Sequence, residues 1–160
     1  APIYAGTNGI QALDLTLKKI HIDEGKVVNN LFDEMISVSN ELNKSDILSK
    51  LTESYQFHIK NLMESTEKVR KLMINGNQKS ISGFASPYTK MFGQVLGGYY
   101  MAKAAVIADK KYKETGEEYY KDKITLSKFY IEQLLPLSVT NMPPIDSDVD
   151  DLFMINRENF

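Results

Sequence analysis

One segment of the chain, residues 48–72, reads LSKLTESYQFHIKNLMESTEKVRKL. Within it, apolar or small side chains recur alternately three and four positions apart: Leu48, Leu51, Tyr55, His58, Leu62, Ser65, Val69 and Leu72. This spacing places them along one side of an α-helix, as a seam that packs against another helix. Ser45 can cap the start and the Asn75-Gly76-Asn77 turn ends the pattern, so we predict a helix over residues 46–74.

The same helical spacing continues on both sides of this segment, and the alternation typical of β-strands is absent. We predict further helices over residues 8–22, 26–42, 86–115 and 117–137. The predicted fold is therefore all-α: an antiparallel bundle of about four long helices preceded by one additional N-terminal helix.

Two local details of this prediction concern helix starts. Thr7 or Asn8 can cap the first helix, whose predicted packing stripe is Ile10, Leu13, Leu17 and Ile20. Residues 78–85 are predicted to form a polar loop, after which Ser86-Pro87 opens the next helix with a cap and a first-turn proline.

The predicted fourth long segment, residues 86–115, contains three glycines: Gly93, Gly97 and Gly98. Each costs about 1 kcal/mol relative to alanine inside a helix. Their presence indicates that another helix or backbone passes close to them.

We expect three units along the chain. Residues 1–24 have a glycine-rich lead-in unlike the rest, residues 25–138 form the bundle, and residues 139–160 form a tail docked on it. Five tail side chains are too apolar for a free tail: Leu152, Phe153, Met154, Ile155 and Phe160. The chain lacks an initiator methionine and opens within a motif, so we do not expect Ala1 to be a natural start.

Composition excludes several classes of protein. The 160 residues suit about one domain, and a net charge of −2 with a pI near 5.7 argues against nucleic-acid binding. The absence of cysteine excludes disulfides, thiolate zinc sites and cysteine nucleophiles, and suits a reducing cytoplasm. The sequence has no apolar run as long as the roughly 18 residues that a membrane span needs.

Metal sites are not favoured by the sequence. His21 and His58 lack a carboxylate at ligand spacing, and His58 is predicted to be a core histidine with a satisfied hydrogen bond. The acidic series Asp146, Asp148 and Asp150 lacks the glycine and distal glutamate of a calcium loop, so a solvated acidic turn is predicted. Glu64 and Glu67 have no Glu-x-x-His partner of the kind that di-iron bundles use.

The lead-in, residues 2–11, reads PIYAGTNGIQ. It is an apolar segment that turns through glycines into a helix start, where free N–H groups and the helix dipole suit a phosphate or another anion. The same pattern is also typical of an ordinary helix start.

This lead-in resembles the signature near the end of acyl-CoA dehydrogenases, Ile-Tyr-Glu-Gly-Thr-Asn followed by Ile-Gln, and Ala12-Leu13-Asp14-Leu15 continues it. Later segments resemble the extra C-terminal helical domain of a bacterial subgroup: Pro87-Tyr88, Phe92-Gly93, Gly97-Gly98-Tyr99, Phe129-Tyr130 and Leu134-Leu135-Pro136. The resemblance covers essentially the whole chain and implies that residues 1–24 end the dehydrogenase's helical domain.

The resemblance implies that the intact parent oxidises an acyl-CoA to the enoyl-CoA with FAD, in cytoplasmic fatty acid metabolism. It places Gly6 against the substrate. It places four residues against the phosphate and ribose of the flavin cofactor: Thr7, Asn8, Gly9 and, more weakly, Gln11.

The chain departs from the family at the catalytic base. The family's glutamate removes the α-proton of the thioester, yet Ala5 stands at that position and its methyl group cannot accept a proton. Three origins stay open: engineering, decay, or a base supplied from another position.

The upstream dehydrogenase domains that assemble the flavin pocket are the expected partners. Without them we expect this chain to bind no flavin and to have a structural role, covering the catalytic domains and forming, as a further option, a contact between subunits. Two alternatives stay open: a non-enzymatic helical scaffold or interaction module that descended from such an enzyme, and a stand-alone binder of CoA or a nucleotide at Thr7.

Overall fold

The computed structural model describes residues 5–147, 154–156 and 158, with only the backbone conformation described for Ala5 and Gly6. This part of the chain is all-α and contains no strand. Its helices are α1 (Ala5–Leu17), α2 (Lys26–Asn43), α3 (Thr52–Ile74), α4 (Gln78–Thr115), α5 (Glu118–Phe129) and α6 (Met142–Asp146). Helices α2 to α4, with α5 and the turns that extend it, form the bundle and α1 precedes it, so the predicted fold class is confirmed.

The helices of the bundle meet through a continuous buried core. Two tyrosines at its centre are fully buried, and each satisfies its hydroxyl within the chain. The hydroxyl of Tyr55 donates to the carbonyl oxygen of Met35 at 3.2 Å, and the hydroxyls of Tyr88 and Thr66 lie 2.7 Å apart. Because each bond joins two helices, the core fixes their register as well as excluding water.

The predicted loop at residues 78–85 is wrong, because α4 begins at Gln78 and runs through Pro87. Asn77 caps it instead of Ser86: its Oδ1 accepts from the backbone N–H of Ser80 at 3.4 Å and from the Ser80 hydroxyl at 2.8 Å. The added turns bury Ile81 and Phe84, each worth about 1.5–3 kcal/mol. That gain is enough to offset a proline inside a helix, which costs about 3 kcal/mol.

Helix α5 is shorter than predicted. It ends at Phe129 and continues as a π turn (Tyr130–Leu134) and a 3₁₀ segment (Leu135–Asn141). Pro136 explains the change, because its ring would clash with the carbonyl four residues earlier in an ordinary α-helix, and a wider turn relieves that contact. Within this continuation Ile131, Leu135 and Ser138 are buried.

The predicted docking of residues 139–160 on the bundle holds for some of these residues and not for others. Helix α6 buries Ile145, whereas Met154 is 80% exposed and Ile155 is 53% exposed, so the docking predicted for these two residues is wrong. The other three apolar tail residues, Leu152, Phe153 and Phe160, lie outside the described residues. The division of the chain at residues 24 and 138 stays a prediction.

Helix α1 differs from its prediction in both extent and face. It begins at Ala5 and ends at Leu17, ahead of a 3₁₀ segment (Lys19–Gly25). Ala12, Thr16 and Ile20 are buried, whereas Ile10 is 65% exposed, so its place in the predicted packing stripe is wrong. The buried face points to α4, and the face carrying Ile10 points to solvent.

The junction between α1 and α2 is held by one side chain of α3. Asp23, Glu24 and Gly25 all have positive φ. The guanidinium of Arg70 donates to the carbonyl oxygen of Glu24 at 2.6 Å, and a Cβ on Gly25 would lie 2.5 Å from its Cζ atom. Two features therefore favour glycine at position 25. Its φ is positive, and the Arg70 guanidinium lies where a Cβ would be placed.

Candidate functional site

The family's signature residues lie in the first two turns of α1. Thr7, Asn8 and Gln11 are exposed, and Gly9 is half-buried. Ala5 and Gly6 are the first two residues of the helix, and only their backbone conformation is described. The order along α1 places the predicted base position, the substrate residue and the cofactor residues next to one another.

The helix start differs from the predicted cap at Thr7 or Asn8. Since α1 already begins at Ala5, the N–H of Gly9 falls within the regular helix, where such groups donate to the carbonyl four residues earlier. The outer face of α1 at Asn8 and Gln11 therefore offers side-chain amides, rather than the backbone N–H of Gly9, to an incoming ligand.

Gly9 itself leaves open space. It lies on the same side of the helix as the buried Thr16, two turns further on. A Cβ built on Gly9 would nevertheless meet no described atom within 4 Å. Glycine inside a helix costs about 1 kcal/mol relative to alanine, and no packing within the described chain requires it here.

A cavity of about 320 Å³ lies beside this segment, between α1 and α4. Its walls are Asn8, Gln11, Ala12, Ser86, Thr89 and Lys90. The walls carry amides, hydroxyls and one ammonium group but no carboxylate, so they can hydrogen-bond to a ligand and balance negative charge. They cannot abstract a proton, because a neutral amide or hydroxyl is no general base at neutral pH.

The signature predicted Asn8 and Gln11 but gave no sign of the three α4 residues that face them. Ser86 had been assigned to a helix cap, and Thr89 and Lys90 lay in an unremarkable polar stretch. The two helices come together here through the packing of α1 on α4, which buries Ala12.

The two histidines are structural. His58 is 4% exposed, and its Nδ1 lies 2.9 Å from the Ser138 hydroxyl, which confirms the prediction of a satisfied core histidine. Burial lowers the pKa of His58 below its ordinary value, so the neutral ring is favoured. His21 Nε2 lies 2.9 Å from the carbonyl oxygen of Thr16.

No metal site is found in the part of the chain that the structure describes. Asp146 pairs with Lys68 at 3.7 Å, while Asp148 and Asp150 lie outside that part. The α3 carboxylates pair along their own helix: Glu64 with Lys60 at 3.8 Å, and Glu67 with Arg70 at 3.4 Å. None of the described helices is both long and apolar enough to cross a membrane.

Comparison with known proteins identifies the bundle. A protein-family model described as acetyl-CoA dehydrogenase C-terminal like matches residues 29–155, from within α2 through α6 and beyond. No match was found among curated proteins or among solved structures. The resemblance to the C-terminal region of this enzyme group, first seen in the sequence, is thereby confirmed.

Proposed function

The chain belongs to the acetyl-CoA dehydrogenase C-terminal-like family, and on that premise we propose that it is the C-terminal region of an FAD-dependent acyl-CoA dehydrogenase. The intact parent would oxidise acyl-CoA to enoyl-CoA, and this helical domain would be structural and inactive alone. The observation that carries the proposal is the outer part of α1, where signature residues stay exposed beside a glycine with open space.

The residues of α1 fit one edge of a flavin cofactor. Gly9 leaves room for close approach, and the amides of Asn8 and Gln11 can hydrogen-bond to phosphate or ribose oxygens. Thr7 and Gly9 complete the edge, and Gly6 lies next to it, towards the substrate. When bound, FAD supplies hydride acceptance, while this chain supplies part of its positioning.

The remaining pocket would come from the upstream dehydrogenase domains. Ile10 supports this assignment, because a side chain that is 65% exposed and apolar gains from being covered. Covering it in a larger polypeptide would also bring further protein over the polar residues on either side of Ile10.

The decisive test compares this chain with a polypeptide that carries its natural upstream sequence. We expect the longer polypeptide to purify with flavin absorbance and the short chain to purify without it. A longer polypeptide that binds no FAD would contradict the proposal, as would a reading frame that begins near Ala1.

The base position gives a second, sharper test. In the longer polypeptide, Ala5→Glu is expected to raise turnover of acyl-CoA with an electron acceptor by about 10²–10⁴-fold, the usual contribution of a positioned general base. Ala5→Gln is the matched control, because it has the same size but cannot take a proton. Equal turnover in both variants would contradict the assignment of Ala5 to the base position.

One observation favours a second candidate function, a non-enzymatic interaction module. Large apolar side chains are exposed along the outer sides of α4 and α5: Tyr100, Ile107, Tyr119, Leu126 and Phe129. Exposed apolar side chains that gather into one patch are typical of a surface that another protein or a second copy covers. The upstream reading frame separates the two candidates, since only the first requires dehydrogenase domains there.

A further inference from the structure

Gly93 has no structural reason within the described chain. It is exposed in the middle of α4, and a Cβ built on it would meet no described atom within 4 Å. The next glycines of the helix are different: a Cβ on Gly97 would overlap the Tyr130 hydroxyl, and one on Gly98 would lie 3.0 Å from Leu135 Cδ1. Close packing therefore explains Gly97 and Gly98 but leaves the helix-weakening Gly93 without a role.

Gly93 lines a cavity of about 530 Å³ between α4 and the segment that follows α5. The other lining residues are Lys90, Gln94, Tyr130, Leu137, Thr140 and Asn141. The volume lies within the range of about 300–1,000 Å³ that small-molecule sites occupy, and the space is broadly open to solvent on its outer side. A side chain at position 93 would reduce this space, so glycine there keeps the cavity open.

The charge of the cavity favours an anion. Lys90 is the single ionic side chain among the described lining residues, and no described residue forms an ion pair with it. None of the described lining residues is a carboxylate that could balance the ammonium group. A phosphate or carboxylate of a ligand would meet a positive charge that no described residue pairs.

Two amides supply a donor and an acceptor on the opposite wall. Asn141 Nδ2 donates to Gln94 Oε1 at 3.0 Å and to the carbonyl oxygen of Ser138 at 3.3 Å. One polar atom of each side-chain amide is thereby hydrogen-bonded, while the other polar atom, Gln94 Nε2 or Asn141 Oδ1, has no partner among the described residues. A neighbouring donor and acceptor of this kind match the polar edge of a nucleobase.

Gly93 and Tyr130 both line the cavity, and Tyr130 packs over the neighbouring Gly97. The Tyr130 hydroxyl donates to the carbonyl oxygen of Gln94 at 3.1 Å, which holds its ring against α4. A planar ring can lie over a glycine backbone more closely than over any other residue. The wall beside an aromatic ring also suits stacking of a planar ligand.

We propose that this cavity binds a nucleotide, with its base against Gly93 and Tyr130, its polar edge on the amides of Gln94 and Asn141, and its phosphate paired with Lys90. The site contains none of the signature residues of α1, although Lys90 also lines the smaller cavity beside them. Its other lining residues do not belong to that smaller cavity, so binding at Gly93, Gln94 and Asn141 can be tested without the upstream domains.

Adenosine monophosphate is the first probe, titrated into the chain by calorimetry and by amide chemical shifts. We expect binding that shifts the amide signals of Gly93, Gln94 and Asn141, and that is tighter than binding of adenosine or of inorganic phosphate. Lys90→Gln is expected to weaken binding about tenfold through loss of a charge-assisted hydrogen bond. Lys71→Gln, an exposed α3 lysine outside the cavity, is the matched control and should change nothing.

Gly93→Leu is the variant that blocks the space, and it should abolish binding without lowering the melting temperature, because its Cβ meets no described neighbour. If Gly93→Leu fails to fold, Gly93→Ala serves, with weaker binding and an unchanged or higher melting temperature. Three results would overturn the proposal: no shift at these amides, equal loss in Lys71→Gln and Lys90→Gln, or phosphate alone binding as tightly as the nucleotide.

Discussion

Gly93 and Gly97 lie one turn apart on the same side of α4, yet they have opposite surroundings. Tyr130 fills the space at Gly97, whereas the space at Gly93 is open to a cavity. The pair Gly25 and Gly9 repeats the contrast, because Arg70 presses on Gly25 and no described atom lies near a Cβ of Gly9. A glycine in a helical protein can therefore have one of two explanations: close packing inside the chain, or space left open for a ligand or another protein. Only the atoms around the glycine distinguish the two.

The largest effect is expected at Gly25, which combines a positive φ with a close neighbour. Gly25→Ala forces a side chain into φ +85 and against the Arg70 guanidinium. We expect a loss of about 2–4 kcal/mol in the free energy of unfolding, the sum of left-handed strain and a lost charge-assisted hydrogen bond. Urea denaturation measures it.

Gly116→Ala is the control for that experiment. Gly116 also has positive φ, at 70, but a Cβ there would meet no described atom within 4 Å. It should show only the strain, about 1–2 kcal/mol. Equal losses at both glycines would contradict a role for Arg70.

Gly97→Ala should have the next largest effect. The new methyl would displace the Tyr130 hydroxyl from the Gln94 carbonyl, and overpacking outweighs the gain in helix propensity. We expect a net loss of about 1–2 kcal/mol in the free energy of unfolding. Adding Tyr130→Phe removes the clashing oxygen, so the double variant should recover part of the loss.

Gly93→Ala should act in the opposite direction. Because the site is helical and open, alanine is expected to stabilise the chain by about 0.5–1 kcal/mol. The same change at Gly9 should give a similar gain. A clear destabilisation at either position would show that hidden packing, rather than reserved space, explains that glycine.

The smallest effect on the free energy of unfolding at neutral pH is expected at the buried pair of His58 and Ser138. The folded-state pKa of His58 is depressed, so its contribution is fully present above the unfolded value of 6.5 and is lost as pH falls below it towards the folded value. Stability should therefore decline with acid through this window. In His58→Gln the decline should be shallower, as measured by urea denaturation across pH, and an unchanged slope would contradict the assignment.

The sequence predicted the helices well where apolar spacing was long and uninterrupted. Residues 26–42 and the body of α3 match the structure closely, because packing and periodicity agree there. The start of α4 was missed, because serine and glycine between residues 78 and 85 outweighed the spacing of Ile81, Phe84 and Tyr88. The turns before α2 and after α5 depend on a contact with Arg70 and on the ring of Pro136, which local propensity does not describe.

The candidate sites divide in the same way. The signature predicted the candidate residues of α1 directly. The exposure of Ile10, the open space at Gly9 and the second cavity could not be predicted, because they depend on how α1, α4 and the segment after α5 lie together. All three helix glycines had been attributed to a passing backbone, an interpretation that fails at Gly93.

The contact of Arg70 with the Glu24 carbonyl has a mechanical consequence. It joins the short link between α1 and α2 to the C-terminal end of α3, so the direction of α1 is set by α3 as well as by its packing on α4. A ligand or protein domain that binds the outer side of α1 is therefore held at a fixed orientation relative to the other helices, even where it does not contact them.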